Sequence, residues 1–379
     1  MDAEDAFFRP VSGTALPRYA GPATFLRLPH VPEGHPRRGE VEVGFLGMPW
    51  DGGTSNRPGA RHGPRALRDA STMLREANRA TGQAPTRTLR CADLGDVAMN
   101  PVDQEAALDA LTGAVARLRA AGVRPICVGG DHLCSSAVLR GLARAGDAPP
   151  ALVLLDSHTD LNPPYLGDRF MSHGNPFRRA VEEGLLDPSR STMVGMRGTA
   201  YDDADLRFAA DAGIEVVTTD AMFDAGIVET MALARRRAGD APTWLSFDVD
   251  FVDPAFAPGT GTPEVGGPTE PRGAGGAAPS ARPPPRRRRP RGGVPALRRG
   301  AGDRMARRPD PLRAALRGRG PAGWISWAGS RSRRGPDPQQ ALRPSRPRDE
   351  PGTGRSWEAG THRAAGLGRG GAGGGDRRG

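Results

Sequence analysis

Three apolar runs in this chain each end in residues of the kind that bind metal ions. Residues 152–155 are followed by Asp156, His158 and Asp160 at alternate positions. In extended backbone, positions i, i+2 and i+4 point to one side, so two carboxylates and an imidazole share a common space. Alone, this reads as the polar exit of a buried strand. Two further segments change the reading. His132 follows the run 125–128 through Gly-Gly-Asp, and Asp248 and Asp250 close the run 243–247. Three buried strands ending in ligand-type residues point to a metal centre built from His132, Asp156, His158, Asp160, Asp248 and Asp250. The carboxyl ends of parallel strands are where open α/β sheets bind their ligands. Four carboxylates and two imidazoles without a thiolate favour a hard to borderline divalent ion, manganese above zinc. So much negative charge in a buried place predicts two ions, about 3.5–4 Å apart, activating a water between them.

The elements that must position these residues alternate along the chain. Strands are expected near 41–47, 88–94, 125–130, 152–155, 192–196, 214–217 and 243–247. Helices are expected near 66–79, 104–121, 135–144, 177–186, 203–212 and 220–238. Such alternation predicts an α/β protein with a mainly parallel sheet covered on both faces. Residues 1–40 are rich in Pro, Gly and Arg and lack either period, so they read as a leader that drapes over the body or moves. Residues 51–65 hold too much glycine and proline for the interior of an element. They form either a loop that places functional groups or a plain surface connection.

Composition narrows the setting. At 379 residues the chain suits one large domain or two ordinary ones. Its three cysteines, Cys91, Cys127 and Cys134, lie in or beside apolar segments and are odd in number. A disulfide framework is not expected, and a reducing cytoplasm is. The N-terminus lacks the basic and apolar regions of a signal peptide, and no apolar run nears the ~18–20 residues of a membrane span. The net charge of +10 divides unevenly. Residues 268–379 carry 26 arginines against eight acidic residues, +18, which leaves −8 for residues 1–267. A mildly acidic body is joined to a very basic tail.

The segments around His132 (Gly-Gly-Asp-His), around 156–160 (Asp-Ser-His-Thr-Asp) and over 246–267 (Ser-Phe-Asp-Val-Asp through Gly-Thr-Gly-Thr-Pro-Glu-Val-Gly-Gly) resemble the three signature blocks of the ureohydrolases, the arginase and agmatinase superfamily. Ser157 stands where the middle block usually has alanine. The resemblance covers residues 41–267 and implies a three-layer α/β/α fold, a binuclear manganese site on the same six residues, and release of urea from a guanidino compound. It implies that His173, in Ser-His-Gly-Asn-Pro, shuttles protons near the leaving amine, and that Asn162 contacts the substrate. Asp253 is expected to order its loop rather than bind metal. The loop motifs resemble agmatinases, so agmatine cleaved to putrescine, a step of polyamine metabolism, is the expected reaction. Guanidinobutyrate or another guanidino acid is the alternative, with Arg57 or Arg61 available to meet its carboxylate. Relatives of this kind imply a homo-oligomer.

The resemblance stops after Gly267, where a helix, a strand bearing a guanidinium-clamping glutamate and a last helix would come next. Residues 268–379 are instead rich in Arg, Gly and Pro, a composition expected to be disordered. One reading is a basic arm that binds nucleic acid by counterion release, on an inactive metal-binding remnant. The favoured reading is a frameshift near Glu270. Arg, Gly, Pro and Ala have codons made wholly of G and C, the chain lacks lysine, and one codon choice with a single base deleted after Glu270 reads as an amphipathic helix. The domain therefore looks incomplete at its C-terminal end, with a sheet edge left open. Sequencing the transcript across Glu270 is expected to show the shift; an unbroken frame with tail peptides seen by mass spectrometry would overturn it.

Overall fold

The computed structural model describes residues 6–79, 81–164, 171–269 and 324–328. Its centre is a parallel eight-stranded sheet in the order β2-β1-β3-β8-β7-β4-β5-β6. The strands are β1 (Val43–Met48), β2 (Cys91–Asp96), β3 (Arg124–Gly129), β4 (Ala151–Leu155), β5 (Thr192–Met196), β6 (Glu215–Thr218), β7 (Thr243–Asp248) and β8 (Trp324–Ala328). Helices α1 (Gly63–Ser71), α2 (Gln104–Ala120), α3 (Cys134–Arg144), α4 (Pro176–Glu182), α5 (Ala204–Ala212), α6 (Thr219–Ala225) and α7 (Ile227–Ala238) complete the alternation. Every residue of β4 is buried, the pattern of a strand covered on both faces. The principal core runs from Leu46 and Val115 through Leu139 and Leu152 to Met193 and Trp244. A second cluster around Val194, Val217, Ile227 and Phe251 fills the other end.

Most expected elements lie within a few residues of their predicted bounds, and four expectations need correction. The helix expected over 66–79 ends at Ser71. The helix expected over 220–238 is two helices, broken at Gly226, whose φ of 82° only glycine adopts freely. The helix expected over 177–186 ends at Glu182. The leader drapes over the body, one of its two expected readings. Phe8, Phe25, Leu28 and Val31 are all buried, Arg37 lies over the rings of Phe7 and Phe8, and the backbone of Phe25 donates to Asp93. Arg68 of α1 grips the same Asp93 with two nitrogens and reaches Asp96 with a third, tying leader, helix and edge strand together.

The fourth correction concerns the tail. The open sheet edge expected at its loss is an interior place, between β3 and β7, and β8 fills it. Ile325 to Ala328 pair with Ile126 to Gly129, and Trp324 to Ala328 pair with Trp244 to Asp248. The segment Trp-Ile-Ser-Trp-Ala combines aromatic and β-branched residues, which suit a strand amid an Arg/Gly/Pro-rich stretch. The rest of the expected tail lies outside the described residues.

At the carboxyl ends of β1 and β3 the two chains run on in contact. Gly130 donates to the carbonyl of Met48, and Asp131 to that of Trp50. A Cβ on Gly130 would overlap the Trp50 carbonyl oxygen, so only glycine lets the backbone pass here and carry His132 inward. Gly130→Ala is expected to cost about 3 kcal/mol, the upper end for overpacking, because backbone rather than a flexible side chain must yield. Urea denaturation that gives an unchanged midpoint would contradict this packing.

Candidate metal centre

His132 enters on the turn between β3 and α3. Asp156, His158 and Asp160 leave the end of β4, and Asp248 and Asp250 leave the end of β7. The six side chains meet in one hollow. Ligand atoms of His132, Asp156 and Asp160 form one cluster, and those of Asp156, His158 and Asp250 form a second, with Asp156 common to both. His132 Nδ1 lies 3.1 Å from Asp156 Oδ2, 2.9 Å from Asp160 Oδ2 and 3.2 Å from Asp248 Oδ2. His158 Nδ1 lies 3.1 Å from Asp250 Oδ2. Asp160 holds this position with a φ of 53°, an uncommon conformation for a residue with a side chain.

In the first cluster proximity is not pairing, whereas in the second His158 Nδ1 and Asp250 Oδ2 are hydrogen-bonded at 3.1 Å. His132 Nδ1 and Asp156 Oδ2 are buried without a hydrogen bond of acceptable geometry, although three carboxylates surround the nitrogen. Donor atoms that converge without bonding one another are arranged for a third atom between them. The other His132 nitrogen, Nε2, lies 2.8 Å from Ser246 Oγ, which fixes the ring. Phe177 stands edge-on to that ring and in turn against Trp244, giving the hollow an apolar wall.

Electrostatics points the same way. Burial and then the charges of Asp250 and Asp156 push Asp248 up to about 8. Burial, only partly offset by His132, raises Asp160 to about 6. Burial opposes charge on both histidines, yet the carboxylates outweigh it and raise His132 well above its usual value and His158 to about 12. Burial likewise opposes charge on Asp156, but the two imidazoles win and hold it well below the usual carboxylate range. The imidazoliums stand in for cations. An all-nitrogen-and-oxygen donor set with this appetite for positive charge fits two divalent ions of the manganese kind.

His173 stands beside this cluster without belonging to it. Its backbone N–H donates to the Gly53 carbonyl, and its Nε2 meets Ser55 Oγ at 2.7 Å and accepts from the Ser55 N–H at 3.1 Å. Burial, then the charges of His158 and His132, lower its pKa to about 4. It is therefore neutral at pH 7, with its Nε2 lone pair engaged by the Ser55 N–H. Asn162 Nδ2 donates to the Gly174 carbonyl at 3.1 Å and so braces the His173 loop. The substrate contact implied for Asn162 would need its second amide hydrogen. Asp253 accepts from Ala255 and Gly266 and orders its loop.

Two further carboxylates, Asp131 within the Gly-Gly-Asp-His block and Asp51 at the start of the loop 51–65, were assigned no role from the sequence. Asp131 accepts from Gly53 and Leu133, and Asp51 from Gly59 and Arg61, whose guanidinium it also pairs. Together they shape the loop 51–65 that holds His173. Arg61 is thereby engaged in structure, whereas Arg57 is exposed. A carboxylate directly after a ligand strand or a glycine-rich turn was the available signal.

Comparison with known proteins agrees with this geometry. The Arginase family model matches residues 41–274. Guanidinopropionase of Pseudomonas aeruginosa is 46% identical over 261 residues, covering 69% of this chain and 80% of that protein. The mitochondrial agmatinase of Gallus gallus is 39% identical over 258 residues, covering 68% and 74%. Proclavaminate amidino hydrolase from Streptomyces clavuligerus superposes with a TM-score of 0.62 at 40% identity, over 66% of this chain and 82% of that one. Fold and relatives define a hydrolase acting on C–N bonds in linear amidines. The chain belongs to the arginase family.

Binding of Mn2+ at about 100 times its dissociation constant is expected to add ~2.7 kcal/mol of stability per site. Asp156→Asn, which alters the carboxylate common to both clusters, is expected to remove most of that gain. Thermal melts with Mn2+ and with chelator read both effects, and a wild-type melt indifferent to Mn2+ would refute the metal assignment.

Proposed function

We propose that this chain hydrolyses a guanidino compound to urea and an amine, using two manganese ions held by His132, Asp156, His158, Asp160, Asp248 and Asp250. The observation that carries it is the convergence of the six residues, with His132 Nδ1 and Asp156 Oδ2 buried and lacking a hydrogen bond. Two divalent ions at this place supply a water acidic enough to act as a nucleophile near neutral pH.

The chain's own residues do the rest. The hollow is walled by Phe177, which keeps bulk water from the reacting carbon. Attack on the guanidinium carbon yields a tetrahedral centre, and its collapse needs a proton on the departing nitrogen. His173, neutral and fixed by Gly53 and Ser55, accepts a proton as the attack proceeds and delivers it to the leaving amine. Asn162 holds the His173 loop and offers an amide hydrogen toward the substrate's far end.

A guanidino acid is the substrate class we favour, because the 46% relative is a guanidinopropionase and the agmatinase is at 39%. Agmatine, the reading of the loop motifs, is the alternative. The described part of β8 contains no carboxylate to clamp a guanidinium, so turnover is expected to be low in this chain. Homo-oligomeric assembly and a cytoplasmic setting belong to the same proposal; among the described residues no helix is long and apolar enough to cross a membrane.

Urea release is to be measured with guanidinopropionate, guanidinobutyrate, agmatine and arginine, for this chain and for one with the frame restored at Glu270. We expect urea from a guanidino acid, more from the restored chain, and a loss of roughly 10²–10⁴ in kcat for His173→Asn with Mn2+ content unchanged. A restored chain carrying two ions and releasing no urea from any of the four would defeat the proposal.

A further inference from the structure

Arg197 comes directly after β5 and lies half-buried with its donors turned inward, where among the described residues no carboxylate bonds them. Nη2 donates to the carbonyl of Asp250 at 2.6 Å and to that of Glu264 at 2.9 Å, Nε reaches the Glu264 carbonyl at 3.2 Å, and Nη1 that of Gly195 at 3.2 Å. Its backbone N–H donates to the carbonyl of Ser157 at 3.0 Å. Ser157 sits between Asp156 and His158, and its own N–H donates to Asp250 Oδ1 at 3.0 Å. One residue thus spans both backbone segments that supply Asp156, His158 and Asp250. None of these hydrogen bonds goes to His132 or Asp160, which belong to the other cluster alone.

The space for this arrangement is built in. A Cβ on Gly267 would come within 2.5 Å of Arg197 Nη2 and 2.7 Å of the Phe251 carbonyl. Gly267 is therefore the floor on which the guanidinium lies. A planar fork with donors on both edges reaches three carbonyls at once, which a lysine ammonium on a flexible stem does not.

We propose that Arg197, seated on Gly267, is a positioning residue that sets the affinity of one ion of the pair, the one held by Asp156, His158 and Asp250, and leaves the other ion unaffected. The proposal rests on the binuclear reading of the site but makes a separate claim. Truncating the fork frees the Asp250 carbonyl and lets Asp250 drift from Ser157, so the second cluster loses its hold on its own ligands, His158 and Asp250, while Asp156 at the buried end of β4 stays with His132 and Asp160 in the first. Loss of a hydrogen-bond partner behind a metal ligand typically weakens binding roughly 10–100-fold.

The test is a Mn2+ titration of the full metal-free chain, read by calorimetry and by the electron paramagnetic resonance signal of paired against single ions. Arg197→Met, Arg197→Lys and Gly267→Ala are compared with wild type. We expect wild type to bind two ions. Each variant should bind one with wild-type affinity and the other roughly 10–100-fold more weakly, so that single-ion signal persists at one equivalent and the paired signal needs excess Mn2+. Gly267→Ala, which keeps the arginine but moves it, should match Arg197→Lys. Variants that lose both ions equally, or that keep both at wild-type affinity, would overturn the proposal. A wild-type chain unable to hold two ions would instead count against the binuclear reading itself.

Discussion

Four carboxylates share one buried hollow, and every other feature of the site answers that fact. Desolvation and mutual repulsion act together on Asp160, Asp248 and Asp250, raising all three. A pair of divalent ions would relieve that conflict, letting the imidazoles serve as neutral ligands while the acids stay ionised. Burial first, and then the charges of His158 and His132, keep the neighbouring His173 neutral.

The parallel sheet converts this electrostatic demand into geometry. Strands β3, β4 and β7 all end at the same side, and the irregular backbone after β4, not the strand's own period, delivers Asp156, His158 and Asp160 to the hollow. Local devices then bend the chain where ideal strands would not reach. Gly130 lets the end of β3 slip past the Trp50 carbonyl, and Asp160 accepts a positive φ to return its carboxylate to the cluster. Strain of that kind persists where surrounding structure over-determines it, here by the packing of Leu161 and the bond from Phe177 N–H to the Asp160 carbonyl.

The same physics governs how much of the molecule could be read from its residues. The gathering of the six candidate ligands was legible because apolar runs announce buried strands and where they end. Helix 104–120 was legible for a similar reason, with Asp103 accepting from Ala106 as its N-terminal cap. The positions of Asp51, Asp131 and Arg197 were not, because their roles lie in contacts to backbone far along the chain, which no period records. The composition of the leader left open whether it drapes or moves. Pro, Gly and Arg mark irregular backbone, yet Phe8, Phe25 and Leu28 are enough to bind such backbone to the core. Gly226 was passed over because a single glycine within a helical pattern is tolerated more often than it breaks one.

The basic tail separates two functions that the arginase-like site combines. All six metal-ligand candidates, His173 and Arg197 fall within residues 41–274, where the family model matches, so the donor set does not depend on residues 275–379. The strand between β3 and β7 does come from beyond that limit. Ala328 ends it level with Gly129 and Asp248, on the threshold of the hollow. A strand in that place would ordinarily be well situated to present a charged side chain to a substrate, yet Trp324–Ala328 contains none. Filling the sheet and recognising a guanidinium are thus different requirements. The first asks only for β propensity and backbone hydrogen bonds, which many sequences satisfy. The second asks for one carboxylate at one position, which Trp324–Ala328 does not carry.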